Sequence, residues 1–191
     1  MNLYSKISFA ILSVLVLASF TQSAAAQRRD YLTDDEIELV RDAQQLDQRI
    51  EILTKAIDRR FAVLNIDVGA HPVGKKDTDK WGPAPTGSRV ELFADIKQLL
   101  QKAIDDIDNL SDRPSSMVVD PDDKSKKPKG FKDIFPAAVK KLAAAADRYK
   151  TPVSTEFSRT NDRVETGILM DIGEMLNEIT ASVDKLSSVE K

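Results

Sequence analysis

General acid–base and metal chemistry at neutral pH turn first to histidine, and this chain has a single one, His71. A lone imidazole in a polar stretch reads as a solvated loop residue. Its isolation excludes more than it suggests. Di-iron carboxylate bundles need Glu-x-x-His pairs, and a b-type haem needs a His on a bundle helix. Ser–His–Asp catalysis would rest on His71 alone, with no nucleophile elbow. The chain has no cysteine, which removes thiol nucleophiles, thiolate metal sites, iron–sulfur clusters and covalent c-type haem together.

Carboxylates are the next candidates. Asp171, Glu174 and Glu178 lie at i, i+3 and i+7, an acidic stripe on one helical face, and Asp105 and Asp108 make a similar pair. Two such stripes could hold a divalent cation between them; the simpler reading is an exposed acidic face. Asp120-Pro121-Asp122-Asp123 alternates carboxylates as a calcium loop does, without that loop's Gly and terminal bidentate Glu. Lys124, Lys126, Lys127, Lys129 and Lys132 follow. They read as a solvated segment, with contact to anionic lipid or a cell-wall polymer as the alternative. No aromatic residue is interleaved with these lysines before Phe131, so nothing offers nucleobases a stacking platform.

Trp81, in Lys80-Trp81-Gly82-Pro83-Ala84-Pro85, is the only tryptophan. It reads as a residue folded back to cap the end of a core, with ligand stacking as the alternative. Arg60 interrupts an apolar seam. It reads as a boundary residue with a packed stem and a solvated head, the alternative being a buried arginine that binds an anion. None of these residues forms a matched acid, base or nucleophile. The expectation is a protein without catalytic, cofactor-binding or metal residues, and not an enzyme.

The elements that carry these residues begin after an export segment. Residues 1–26 have the parts of a cleavable signal peptide: Lys6, an apolar run from Ile7 to Phe20, then Ala24 and Ala26 in an A-x-A pattern. That run is 14 residues, against roughly 20 for a membrane span; an uncleaved anchor is the competing reading. Arg28 and Arg29 follow the run and so form no twin-arginine signal. Cleavage near Ala26 predicts a periplasmic or secreted chain, free in solution, of 165 of the 191 residues. With Lys6 removed, 27 basic residues face 31 acidic ones, a net of −4. That balance gives no electrostatic reason to bind nucleic acid. An exported chain without disulfides must be stabilised by packing.

Residues 27–191 read as one all-α domain, four amphipathic helices forming a bundle, with a long first helix and two long polar linkers, 66–87 and 111–130. Thr33 and Glu36 form a capping box ahead of the first helix. Leu39, Ala43, Leu46, Ile50, Leu53, Ile57, Phe61 and Leu64 then step by 4, 3, 4, 3, 4, 4 and 3, the helical repeat. No Gly or Pro interrupts residues 33–65, so one helix of about 50 Å is expected, long enough to suggest a coiled-coil partner.

Ser88 and Glu91 form a second capping box before Phe93, Ile96, Leu100, Ala103, Ile107 and Leu110. A third stripe is Phe135, Val139, Leu142, Ala146 and Tyr149, ended by Thr151-Pro152. A fourth helix, starting between Ser154 and Asn161, carries Val164, Ile168, Ile172, Met175, Ile179, Val183 and Leu186. Gly167 and Gly173 lie inside it, marking a kink or a close helix contact.

Leu32-Thr33-Asp34-Asp35-Glu36 resembles the Leu-Thr-x-x-Gln motif of the small helical periplasmic chaperones and stress sensors, with Glu36 in place of Gln and no second copy. The resemblance implies an exported, non-enzymatic protein that cradles unfolded clients on a helical surface. Two functions stay open from sequence. One is an envelope scaffold, adaptor or chaperone acting through protein–protein contacts, with self-association through the long first helix. The other is a bundle that binds a small apolar or anionic ligand in its core, with Trp81 or Arg60 at its mouth.

Overall fold

A computed structural model describes residues 29–69, 78–113 and 130–189. The export segment, His71 and the run from Asp120 to Lys129 lie outside the described residues. The elements are α1 (Asp34–Asp42), α2 (Leu46–Val63), the single turn α3 (Thr78–Trp81), α4 (Arg89–Asp112), α5 (Phe131–Arg159) and α6 (Arg163–Val189). The all-α helical bundle is present. The expected count of four helices is not: five helices of nine or more residues are described, because the long first helix is broken in two.

The break falls at Ala43–Gln45, where Ala43 leaves helical geometry at ψ 83°. Arg49 Nε reaches back to the freed Ala43 carbonyl at 3.0 Å. The cause lies further along the chain. Glu36 Oε1 accepts from Arg60 Nη1 at 2.7 Å, although the two residues are 24 apart. In one straight helix they would be separated by about 36 Å. The chain must fold back to join them, and α1 therefore lies along α2 and touches α3. The seam residues Leu46, Ile50, Leu53, Ile57 and Phe61 are buried inside the bundle, so they are not available for the coiled coil that the long helix suggested.

A second correction concerns Pro152. It does not end its helix; α5 runs through it to Arg159. A mid-helix proline costs about 3 kcal/mol through the lost hydrogen bond and the clash with the preceding turn. Tyr149 and Val153 flank it and are both buried. Of the residues beyond the proline, Val153 is buried and Glu156 pairs with Arg89; exposing Val153 alone would cost about 1.5–3 kcal/mol. The next helix accordingly starts only at Arg163, with Asp162 Oδ1 accepting from the Val164 and Glu165 amides at 2.8 and 2.9 Å. Its buried stripe is Glu165, Leu169, Ile172, Leu176 and Ile179, and Val164 is exposed. The two capping boxes, Thr33 with Glu36 and Ser88 with Glu91, are both formed.

The four longer helices touch in the cyclic order α2, α4, α6, α5. Cross-helix pairs give their directions. Arg60–Asp95 and Arg49–Asp106 set α2 antiparallel to α4, whereas Lys141–Glu51 and Tyr149–Thr54 set α5 parallel to α2. Arg89–Glu165 and Lys97–Asp171 set α6 parallel to α4. One end of the bundle is therefore formed by the C-termini of α2 and α5 and the N-termini of α4 and α6. Phe61 and Tyr149 pack in the core with ring centroids 5.1 Å apart. Among the described residues no helix is long and apolar enough to cross a membrane.

Candidate functional site

The polar residues that sequence singles out, together with others that it passes over, gather at that end of the bundle. Glu36 is the centre of one cluster and is 0% exposed. Its Oε1 accepts from Arg59 Nη1 at 2.6 Å and from Arg60 Nη1 at 2.7 Å. Its Oε2 accepts from Arg60 Nη2 at 2.7 Å and from the Thr33 amide at 3.0 Å. Arg60, 1% exposed, also donates to the Tyr31 and Ala56 carbonyls at 2.5 and 2.8 Å. Its Nε makes no hydrogen bond and lies 3.8 Å from Asp95 Oδ2. Arg60 is thus neither solvated at its head nor waiting for a foreign anion; the anion is the chain's own Glu36.

Trp81 is 4% exposed and part of the core, as a capping residue should be. Arg59 lies over its ring at 5.4 Å and donates to the Gly82 and Pro83 carbonyls at 3.2 and 2.5 Å. Gly82 adopts φ +59°, and a Cβ there would overlap the Asp35 carboxylate. Trp81 and Arg60 are both engaged within the chain, which leaves neither aimed at a ligand.

A second cluster joins α4, α5 and α6. Arg89 donates to Glu165 Oε1 at 2.9 Å and to Glu156, and stacks 5.0 Å from the Phe93 ring. Partial burial opposes its charge, while the two carboxylates hold its proton more tightly than usual and win. About two turns before Glu156 on α5, and facing α2, the Tyr149 hydroxyl donates to Asp58 Oδ1 at 2.6 Å. Burial, and then the Asp58 charge, push its pKa well above the ordinary phenol range. Each carboxylate here faces a cation or donor at close range. The arrangement fixes helices and presents no base or nucleophile to solvent.

The acidic candidates do not converge. Asp171 pairs with Lys97 of α4 at 2.5 Å, while Glu174 and Glu178 face outward. Asp105 accepts from Gln101 at 2.8 Å, and Asp108 is exposed. No group of three or more His, Cys, Asp or Glu side chains among the described residues is arranged to hold a metal.

What sequence reading missed at this end is its apolar rim. The exposed large hydrophobic residues among those described are Val63 at 37%, Phe157 at 42%, Val164 at 61% and Met170 at 52%. Val63 ends α2, Phe157 lies two residues before the end of α5, and Val164 and Met170 are in the first third of α6. The signal available in sequence was Val164, whose phase departs from the buried stripe of Leu169, Ile172 and Leu176. Comparison with protein-family models, with curated proteins and with solved structures gives no match to this chain.

Proposed function

We propose that the chain is an exported, non-enzymatic helical-bundle protein of the cell envelope that acts through protein–protein contacts, as a scaffold, adaptor or chaperone-like protein. The observation that carries this reading is the gathering of Val63, Phe157, Val164 and Met170 at one end of the bundle. Single exposed hydrophobic residues are ordinary on a protein surface, whereas a group at one end points to an interaction site. The buried charges beneath this end are paired with one another and hold the helix ends in place, so the rim sits on a fixed base.

The test has two parts. Intact mass of protein from the export compartment should match residues 27–191; the full-length mass refutes the export reading. Purified protein should suppress aggregation of an unfolded model client or bind a defined envelope protein. The Phe157→Ser, Val164→Ser double variant should lose that ability while keeping its helical content. Equal activity of the variant would refute this end as the contact surface.

A further inference from the structure

The outer face of α6 carries a pattern that no contact among the described residues explains. At 100° per residue, Arg163, Gly167, Met170, Glu174 and Glu178 fall within about 80° of arc. The buried residues Glu165, Leu169, Ile172, Leu176 and Ile179 occupy an equal arc centred about 180° away. Arg163, Glu174 and Glu178 are exposed and take part in no ion pair or hydrogen bond with another described side chain. Met170 is half exposed. A Cβ on Gly167 would meet nothing within 4 Å, so no neighbour among the described residues requires glycine there, although it costs about 1 kcal/mol against alanine.

Arg163 also opposes the helix dipole. Arg163 is the first residue of α6, at its positive end, and Glu178 lies in its C-terminal half. Arg163 and Glu178 are complementary across such a face, and Glu174 meets no like charge in the register they set. An antiparallel copy of α6 with its two-fold axis between Met170 and Asp171 sets Arg163 opposite Glu178 of the other copy, twice, and Gly167 opposite Glu174. The open glycine then leaves room for the Met170 side chains to cross at the centre.

We propose that α6 pairs antiparallel with α6 of a second copy of this chain, through Arg163, Gly167, Met170, Glu174 and Glu178. The inference deepens the protein–protein reading above, on which it rests, by naming one partner and its surface. The shared face spans about 24 Å of helix, a single helix pair and so a small interface, for which a weak dimer is expected.

Sedimentation velocity on the purified protein from about 1 to 500 μM tests this, with circular dichroism as the control for folding. Wild type should dimerise in that range. Arg163→Glu and Glu178→Arg should each weaken the dimer by about tenfold or more. An equimolar mixture of the two single variants should restore it, because every cross-axis pair is again opposite in charge. Met170→Glu should abolish it. A monomer at all concentrations, a dimer indifferent to the charge reversals, or a mixture that fails to recover would each overturn the proposal. A monomer that still suppresses client aggregation would remove self-pairing and leave the contact reading intact; a dimer with no client or partner would do the reverse.

Discussion

Replacing Glu36 with glutamine removes one charge and little else. The side chain keeps its length, and its amide oxygen can still accept from the Thr33 amide, so the capping box survives. What disappears is the carboxylate that Arg59 and Arg60 share at 2.6–2.7 Å. Arg60 is 1% exposed, so its guanidinium is left buried beside Asp95, with no carboxylate within hydrogen-bonding distance. Removing one partner of a buried pair costs about 3–5 kcal/mol, a third or more of the stability of many domains. For a domain of this size that corresponds to a fall in Tm of about 6–20 °C.

Thermal and urea unfolding followed by circular dichroism measure the loss. Thr33→Ala is the control, because it removes only the capping bond to the Glu36 amide and should cost about 1 kcal/mol. A Glu36→Gln variant no less stable than Thr33→Ala would refute the ion pair as the cause of the fold-back. In the Glu36→Gln, Arg60→Met double variant both charges are gone, and its loss should be smaller than the sum of the single losses.

Tyr149→Phe should cost about 1–2 kcal/mol at neutral pH through the bonds to Asp58 and the Thr54 carbonyl. The folded state raises the pKa of this phenol, so its stabilisation is intact below the unfolded value of about 10 and is lost as pH rises above it. Urea midpoints from pH 7 to 11 should show the gap between wild type and variant closing. Arg89→Ala leaves Glu156 and Glu165 without their shared cation and should cost about 2 kcal/mol by urea unfolding, less than a fully buried pair because Arg89 is 41% exposed. Gly82→Ala should lower stability by more than about 1 kcal/mol, since φ there is +59° and the Cβ meets Asp35. Gly173→Ala, in open space, should raise Tm by the equivalent of up to about 1 kcal/mol.

Periodicity located the apolar stripes because 3.6-residue spacing is a local property. Ile50, Leu53, Ile57, Phe93, Ile96, Leu142 and Tyr149 are buried where the pattern put them. The break at Ala43–Gln45 was not legible, because no Gly or Pro marks it and its cause sits 24 residues away. Pro152 is the opposite case: a strong local stop signal is outweighed by what lies beyond it, the burial of Val153 and the Glu156–Arg89 pair. In α6 the expected stripe largely faces the core, with Ile172 and Ile179 buried and Ile168, Met175 and Val183 packed beside them; among its described side chains Val164 alone is exposed, and Leu169 and Leu176 are the buried residues it leaves out. The Glu36–Arg59–Arg60 cluster was visible only in halves, as a cap and as an anomalous arginine. Their meeting is a tertiary event.

The sequence separations in this bundle also set the loop entropy that each helix pairing must overcome. The α5–α6 hairpin is closed by residues 160–162 alone, and so incurs little chain entropy on closure. The α2–α5 pair must instead bring together Thr54 and Tyr149, 95 residues apart. Arg60 ties Tyr31 and Glu36 to Asp95, about sixty residues further along the chain. The α5–α6 hairpin therefore incurs less loop entropy than the α2–α5 pairing, while the docking of α1 needs Glu36, Arg60 and Asp95 from three separate helices at once.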